Sequence, residues 1–231
     1  MKYTKIIFSL LFLLIYASCS TAEDVHQSTV SEADAMSALT LLYRDSVDLS
    51  SRTFSLSSDD VRLLFPLSID DYRRDLLRYD ELFSDASEKL ATLLEDAVLS
   101  ALSSLKEFDF KVENPVESLV ENNLFSSNRS AIINHVRPII SEYIENEKDE
   151  FDTSYSLLSF ECLVLKANYE NLESVGFTST LEPVGAFSYE NAALFAATKL
   201  YESLVESEAR LRNTPLSQQD NPLYRLFWEV I

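Results

Sequence analysis

A chain of 231 residues, 46% of them hydrophobic, can bury a sizeable core, and 38 acids against 19 Lys and Arg give it a formal charge of −19. A surface of that sign repels phosphate backbones and anionic headgroups, which excludes nucleic acid as a partner and a basic patch as the means of holding a membrane. The only cysteines are Cys19 and Cys162. If the first belongs to the leader, no internal disulfide is left to staple the fold.

Lys2 and Lys5 precede an apolar run from Ile6 to Ile15, which Tyr16-Ala17-Ser18-Cys19 closes. The run falls short of the roughly 18 apolar residues of a membrane span, so residues 1–18 read as a secretory signal peptide. Ala17 and Ser18 before Cys19 resemble the lipobox of bacterial lipoproteins, with Tyr16 where that motif usually has an aliphatic residue. The resemblance implies that Cys19 takes a diacylglycerol on sulfur and becomes the acylated mature N-terminus. The alternative is ordinary cleavage after Ser20-Thr21-Ala22, which discards Cys19 and leaves a soluble periplasmic or secreted domain. Losing Lys2 and Lys5 takes the formal charge from −19 to −21. Membrane contact is therefore expected through the lipid, whose chains contribute roughly 0.8 kcal/mol per buried methylene. Residues 19–30 form a polar, aperiodic tether, and His26 within it reads as a solvated side chain.

Residues 31–231 read as one all-α domain, an irregular bundle of about seven or eight helices. Only two glycines occur, Gly176 and Gly185, whereas strand-rich folds need glycine at hairpins and bulges. Ser31, with Glu32 and Asp34 in the turn after it, opens a helix through about Leu49, with Ala35, Leu39, Leu42 and Leu49 inward. Ser68-Ile69-Asp70-Asp71 resembles a capping box and predicts a helix through Tyr79. From Ser84 to Phe108, Leu90, Leu93, Leu94, Ala97, Ala101, Leu102, Leu105 and Phe108 form one stripe. Asn114-Pro115 starts a short helix, and Asn122 to Ser130 reads as a loop.

Ile132, Ile133, Val136, Ile139, Ile140, Tyr143 and Ile144 keep helical spacing, with Pro138 predicting a kink or break. Thr153 to Leu172 is apolar nearly all round and reads as the central helix. Ser174 to Phe187, with both glycines and Pro183, reads as an irregular turn rather than a hairpin. Ser188 caps the last long helix, which runs across the central one to about Asn213 and is ended by Pro215. Glu206 with Arg210 and Glu208 with Arg212 are four-residue pairs worth roughly 0.2 to 0.5 kcal/mol each. Asn221-Pro222 opens a short helix containing Leu223, Phe227 and Trp228.

In order and spacing these segments resemble the bacterial secreted or lipid-anchored helical proteins grouped as domain of unknown function 4197, from about Ala33 to Val230. Val61-Arg62-Leu63-Leu64-Phe65-Pro66 resembles that family's Val-Arg-Ile-Pro-Leu-Pro segment, and Arg137-Pro138-Ile139-Ile140 is similar to its Leu-Pro-Ile-Val. Leu94-Glu95-Asp96-Ala97-Val98 sits where the family has an Ala-rich helix. Ser188 to Leu211 resembles its long helix, followed by a short one like Leu223-Tyr224-Arg225-Leu226-Phe227. The family's glycine pair after the short middle helix has no counterpart in Asn122 to Ser130. The resemblance implies an all-helical fold and an envelope address, with no catalytic residues to carry over.

Two side chains are candidates for binding a ligand. Arg62 could clamp an anion or a partner's carboxylate, against the simpler reading that it pairs with a nearby acid. His135, with no partnered nucleophile, no Gly-x-Ser-x-Gly elbow and no His-Glu-x-x-His pair, reads as a boundary residue of an amphipathic helix. Cys162, in the most apolar helix, reads as core. Glu142, Glu145, Glu147, Asp149, Glu150 and Asp152 lack the spacing and the glycine of a calcium loop and read as a solvated face. No metal and no cofactor is expected. The functional expectation is a non-enzymatic lipoprotein on the outer membrane or the periplasmic face, acting by binding a protein or a small ligand. The alternatives are an envelope enzyme built on carboxylates and His135, or a carrier of a hydrophobic ligand.

Overall fold

The computed structural model describes residues 30–121, 123–173, 175–176, 180–214 and 221–229. The leader, Cys19, His26, Pro215 and the side chain of Trp228 lie outside the described residues. Nine α-helices and three short 3-10 helices occur among those residues, with no strand, so the fold is one all-α domain, an irregular bundle.

Helix α1, Glu32–Thr53, begins where Ser31 Oγ accepts the Asp34 backbone N–H at 3.1 Å. Ala35, Ala38, Leu39, Leu42 and Val47 are its buried stripe, whereas Leu49 is only half-buried. The inner face near its end carries Ser46 and Ser50 instead. Those small side chains permit a close helix crossing, and Ser50 Oγ meets Ser207 Oγ at 2.9 Å.

The next segment departs from expectation. The capping box lies at Ser57 and Asp60, opening α2, Ser58–Val61, and Ser68 does not start a long helix. A 3-10 helix follows over Arg62–Leu64 and a second over Leu67–Tyr72, after which the chain turns. Pro66 forces extended backbone just before, and Ile69 and Tyr72 are buried at the three-residue spacing that a 3-10 helix brings to one face.

Helix α3, Tyr79–Leu105, starts earlier and stops sooner than its stripe suggests. Leu82, Ala86, Leu90, Leu94, Ala97, Val98, Ala101, Leu102 and Leu105 are all buried, with α1 and three later helices packed around them. Each leucine so enclosed contributes roughly 1.5 to 3 kcal/mol relative to exposure. α3 is therefore the centre of the bundle.

Short helices α4, Pro115–Val120, and α5, Leu124–Ser127, follow. The second replaces the loop expected over Asn122 to Ser130. Asn128 pins the region: its side chain accepts the Lys111 N–H and donates to the Lys111 and Leu124 carbonyls, each at 2.9 to 3.0 Å. Helix α6, Arg129–Glu147, runs unbroken through Pro138. Pro138 sits on the exposed side, so the Asn134 carbonyl it leaves without a donor faces water, while Ile132, Val136, Ile140 and Ile144 bury the opposite side.

Helix α7, Asp149–Glu173, is not the central helix that its composition suggests. Phe151, Ser154, Tyr155, Leu158 and Cys162 are buried, and no described residue of α7 after Cys162 is. Apolar composition all round measures how much surface wants covering, and the bundle covers one side of one half. The described part of the following loop holds no strand, and the Gly185 carbonyl accepts the Tyr155 hydroxyl at 2.7 Å. Helix α8, Tyr189–Arg212, is capped by Ser188, which accepts the Asn191 N–H at 3.3 Å. It packs chiefly on α6 and α1 rather than across α7. A 3-10 turn over Pro222–Arg225 and helix α9, Leu226–Glu229, close the described chain, with Tyr224 and Phe227 buried.

Candidate functional site

Arg62 and His135 are not brought together. Arg62 lies over the Phe83 ring, 5.2 Å from its centroid, whereas His135 sits beside Ser104. Phe83 and Ser104 lie at opposite ends of α3, about 30 Å apart along its axis.

Arg62 pairs with Asp70 at 2.7 Å, the local acid that the simpler reading supplies. Asp70 also accepts the Tyr79 hydroxyl at 2.8 Å. Burial, and then that bond to a carboxylate, push the Tyr79 phenol well above its ordinary range. The guanidinium is thereby oriented by a carboxylate on one side and a ring face on the other, an arrangement that holds the loop.

His135 is half-buried, its ring 5.1 Å from that of Phe108 and its Nε2 3.1 Å from Ser104 Oγ. Ser104 donates its single hydroxyl proton to the Ala101 carbonyl at 2.7 Å. With that proton so placed, Ser104 Oγ accepts from the tautomer of His135 that carries its hydrogen on Nε2.

The acidic run is divided among separate tasks. Glu145 pairs with Lys148 and Glu150 with Lys89, while Asp152 accepts the Tyr189 hydroxyl. Lys89, Asp96, Tyr143, Glu147 and Glu150 line an open groove of about 340 Å³. A second, of about 480 Å³, lies over Lys111, Asn114, Glu117, Asn123 and Asn128. Neither is lined by Arg62 or His135, and among the described residues no three His, Cys, Asp or Glu side chains gather as a metal site.

The feature that remains is the outer face of α7. Leu157 is 44% exposed, Phe160 59%, Leu163 58% and Val164 38%, with Leu172 and Val175 exposed beyond them. Segment 73–78 runs alongside: Arg74 pairs with Asp75, which also takes a bond from Tyr169 of α7, and Arg78 lies within the field of Glu161. That segment carries the fully exposed Leu77. On the opposite side of α7, Cys162 is fully buried, and burial pushes its thiol up to about 11, so the sulfur is neutral and inert at ordinary pH. The sequence held the signal for two faces on this helix. Tyr155, Leu158, Cys162 and Leu165 make one stripe and Leu157, Phe160 and Val164 another, and only packing shows which is covered.

Glu208 and Arg212 also do more than their spacing implies. Glu208 is buried, and its carboxylate accepts the Leu124 and Phe125 N–H groups, both at 3.3 Å, at the start of α5. Arg212 bonds Glu208 at 2.8 Å, donates to the Leu119 and Ser118 carbonyls at the end of α4, and lies 4.9 Å from the Phe227 ring centroid. One ion pair thus caps two helix ends at once.

No protein-family model, no curated protein and no solved structure matches this chain.

Proposed function

We propose that this chain is an envelope lipoprotein, held by an acylated Cys19, that acts by docking another macromolecule on the outer face of α7 and catalyses no reaction. The single observation that carries the docking role is the exposed run of Leu157, Phe160, Leu163 and Val164 on a helix whose opposite side is packed from Phe151 to Cys162. Single exposed leucines are ordinary on a soluble surface, but a contiguous apolar stripe is what interaction sites present. The leader supports the address, through its short apolar run and a cysteine after Ala17-Ser18. The resemblance to the helical family grouped as domain of unknown function 4197 is consistent with the same compartment. Both grooves are open and set charged side chains, such as Lys89 and Glu117, among their apolar ones, which favours docking over carriage of a long apolar ligand.

The test of the address is the intact mass of the mature N-terminal peptide from native membranes, with a Cys19→Ala control. An acylated peptide beginning at Cys19 and lost in the control is the expected result. An unmodified peptide beginning at Glu23 would overturn the anchor. The docking role is read from the accessibility of the α7 face in those same membranes, as set out below.

A further inference from the structure

The geometry points to a second copy of this chain as the occupant of the α7 face, paired antiparallel across a two-fold axis. This rests on the proposed function, both in reading that face as a docking surface and in the anchor that confines the copies to one membrane. Thr153, Leu157, Phe160, Val164, Ala167 and Asn171 recur at alternating spacings of four and three, and all six are exposed. That is the a/d seam of a helix made to pair with another helix, about 27 Å long.

The seam is complementary to itself in one register. Centred on position 162, an antiparallel copy sets Leu157 against Ala167, Phe160 against Val164 and Thr153 against Asn171. Each layer thus joins a large side chain to a small one, or a polar side chain to a polar one at the ends. Leu163 of each copy then flanks the axis and meets its own equivalent. Glu161 comes near the axis too, so its two copies add to the repulsion that salt screens. On the flank that Leu163 shares, Ser156 faces Glu170, which Lys166 already neutralises within its own helix.

Covering the seam and its flanks removes on the order of 600 Å² per protomer, or about 1,200 Å² for the pair, the lower edge of a specific interface. Such a dimer is weak in solution. Confinement of tethered copies to one membrane raises their effective concentration and completes it. The formal charge of −21 left after the leader sets the salt dependence: two such bodies repel, so screening strengthens the dimer. A basic partner helix would show the opposite trend.

The experiment uses the full chain in its native membranes. Leu163→Cys is treated with a maleimide dye and, separately, with a short bismaleimide, with Ser130→Cys on α6 as the exposed control. The expected result is dye labelling of Leu163→Cys reduced about tenfold relative to the control, which corresponds to a face mostly covered. It includes a homodimeric cross-link that Phe160→Glu abolishes without changing the helical circular dichroism, and a cross-linked fraction that rises with salt. Protection from dye with no self cross-link would overturn the second copy and leave the docking face standing. Full labelling would overturn both. A cross-link that survives Phe160→Glu would overturn the register.

Discussion

Arg212→Met is the substitution with the most to lose. The methionine keeps most of the side-chain volume and its contact with Phe227, but removes five donors. Glu208, at 2% exposure, is then left with two long backbone bonds and no cation, and the Ser118 and Leu119 carbonyls lose their partner. Breaking a buried pair by removing one member costs about 3 to 5 kcal/mol, because the remaining charge stays desolvated. An exposed pair at the same spacing is worth roughly 0.2 to 0.5 kcal/mol, so the two readings differ by nearly tenfold. In a domain of this size the loss corresponds to a melting temperature lower by roughly 6 to 20 °C. Urea unfolding followed by circular dichroism measures it, with an unchanged slope showing that the midpoint shift is stability alone. The double variant Glu208→Gln with Arg212→Met should recover part of the loss, since it removes the stranded charge. A single Arg212→Met costing under about 1 kcal/mol would refute the argument that this pair caps α4 and α5.

Two further outcomes follow from the same structure. Pro138→Ala should stabilise the fold by about 1 kcal/mol or more, read as a higher urea midpoint, because α6 is already helical there and alanine restores the bond to the Asn134 carbonyl; an unchanged or lower midpoint would show that the proline fits its turn without loss. Stability should be level near neutral pH and fall on the alkaline side. Cys162 keeps its proton in the folded state up to about 11, whereas the unfolded thiol ionises near 9, so its contribution is complete below about 9 and is lost as pH climbs toward 11. The phenols of Tyr43, Tyr79, Tyr189 and Tyr224, raised first by burial, extend the loss above their ordinary value near 10. A urea midpoint that stays constant up to pH 11 would mean that water reaches these groups.

What the chain determined by itself is whatever depends on neighbours close in sequence. The leader and anchor proposed for residues 1–19 rest on one contiguous run. The caps at Ser31 and Ser188 act within three residues, and the stripes on α1, α3 and α6 express one helix's own period. Scarcity of glycine left an all-α fold as the economical outcome, and that is the fold observed. Tertiary structure decided the rest, because the deciding partners lie far apart in the chain. α5 exists in what reads as a loop because Glu208 meets its N-terminus from more than 80 residues away. Pro138 leaves α6 whole because its side of the helix faces water. The most apolar helix lies at the edge and α3 at the centre because hydrophobicity states how strongly a surface seeks cover, while only packing settles what covers it.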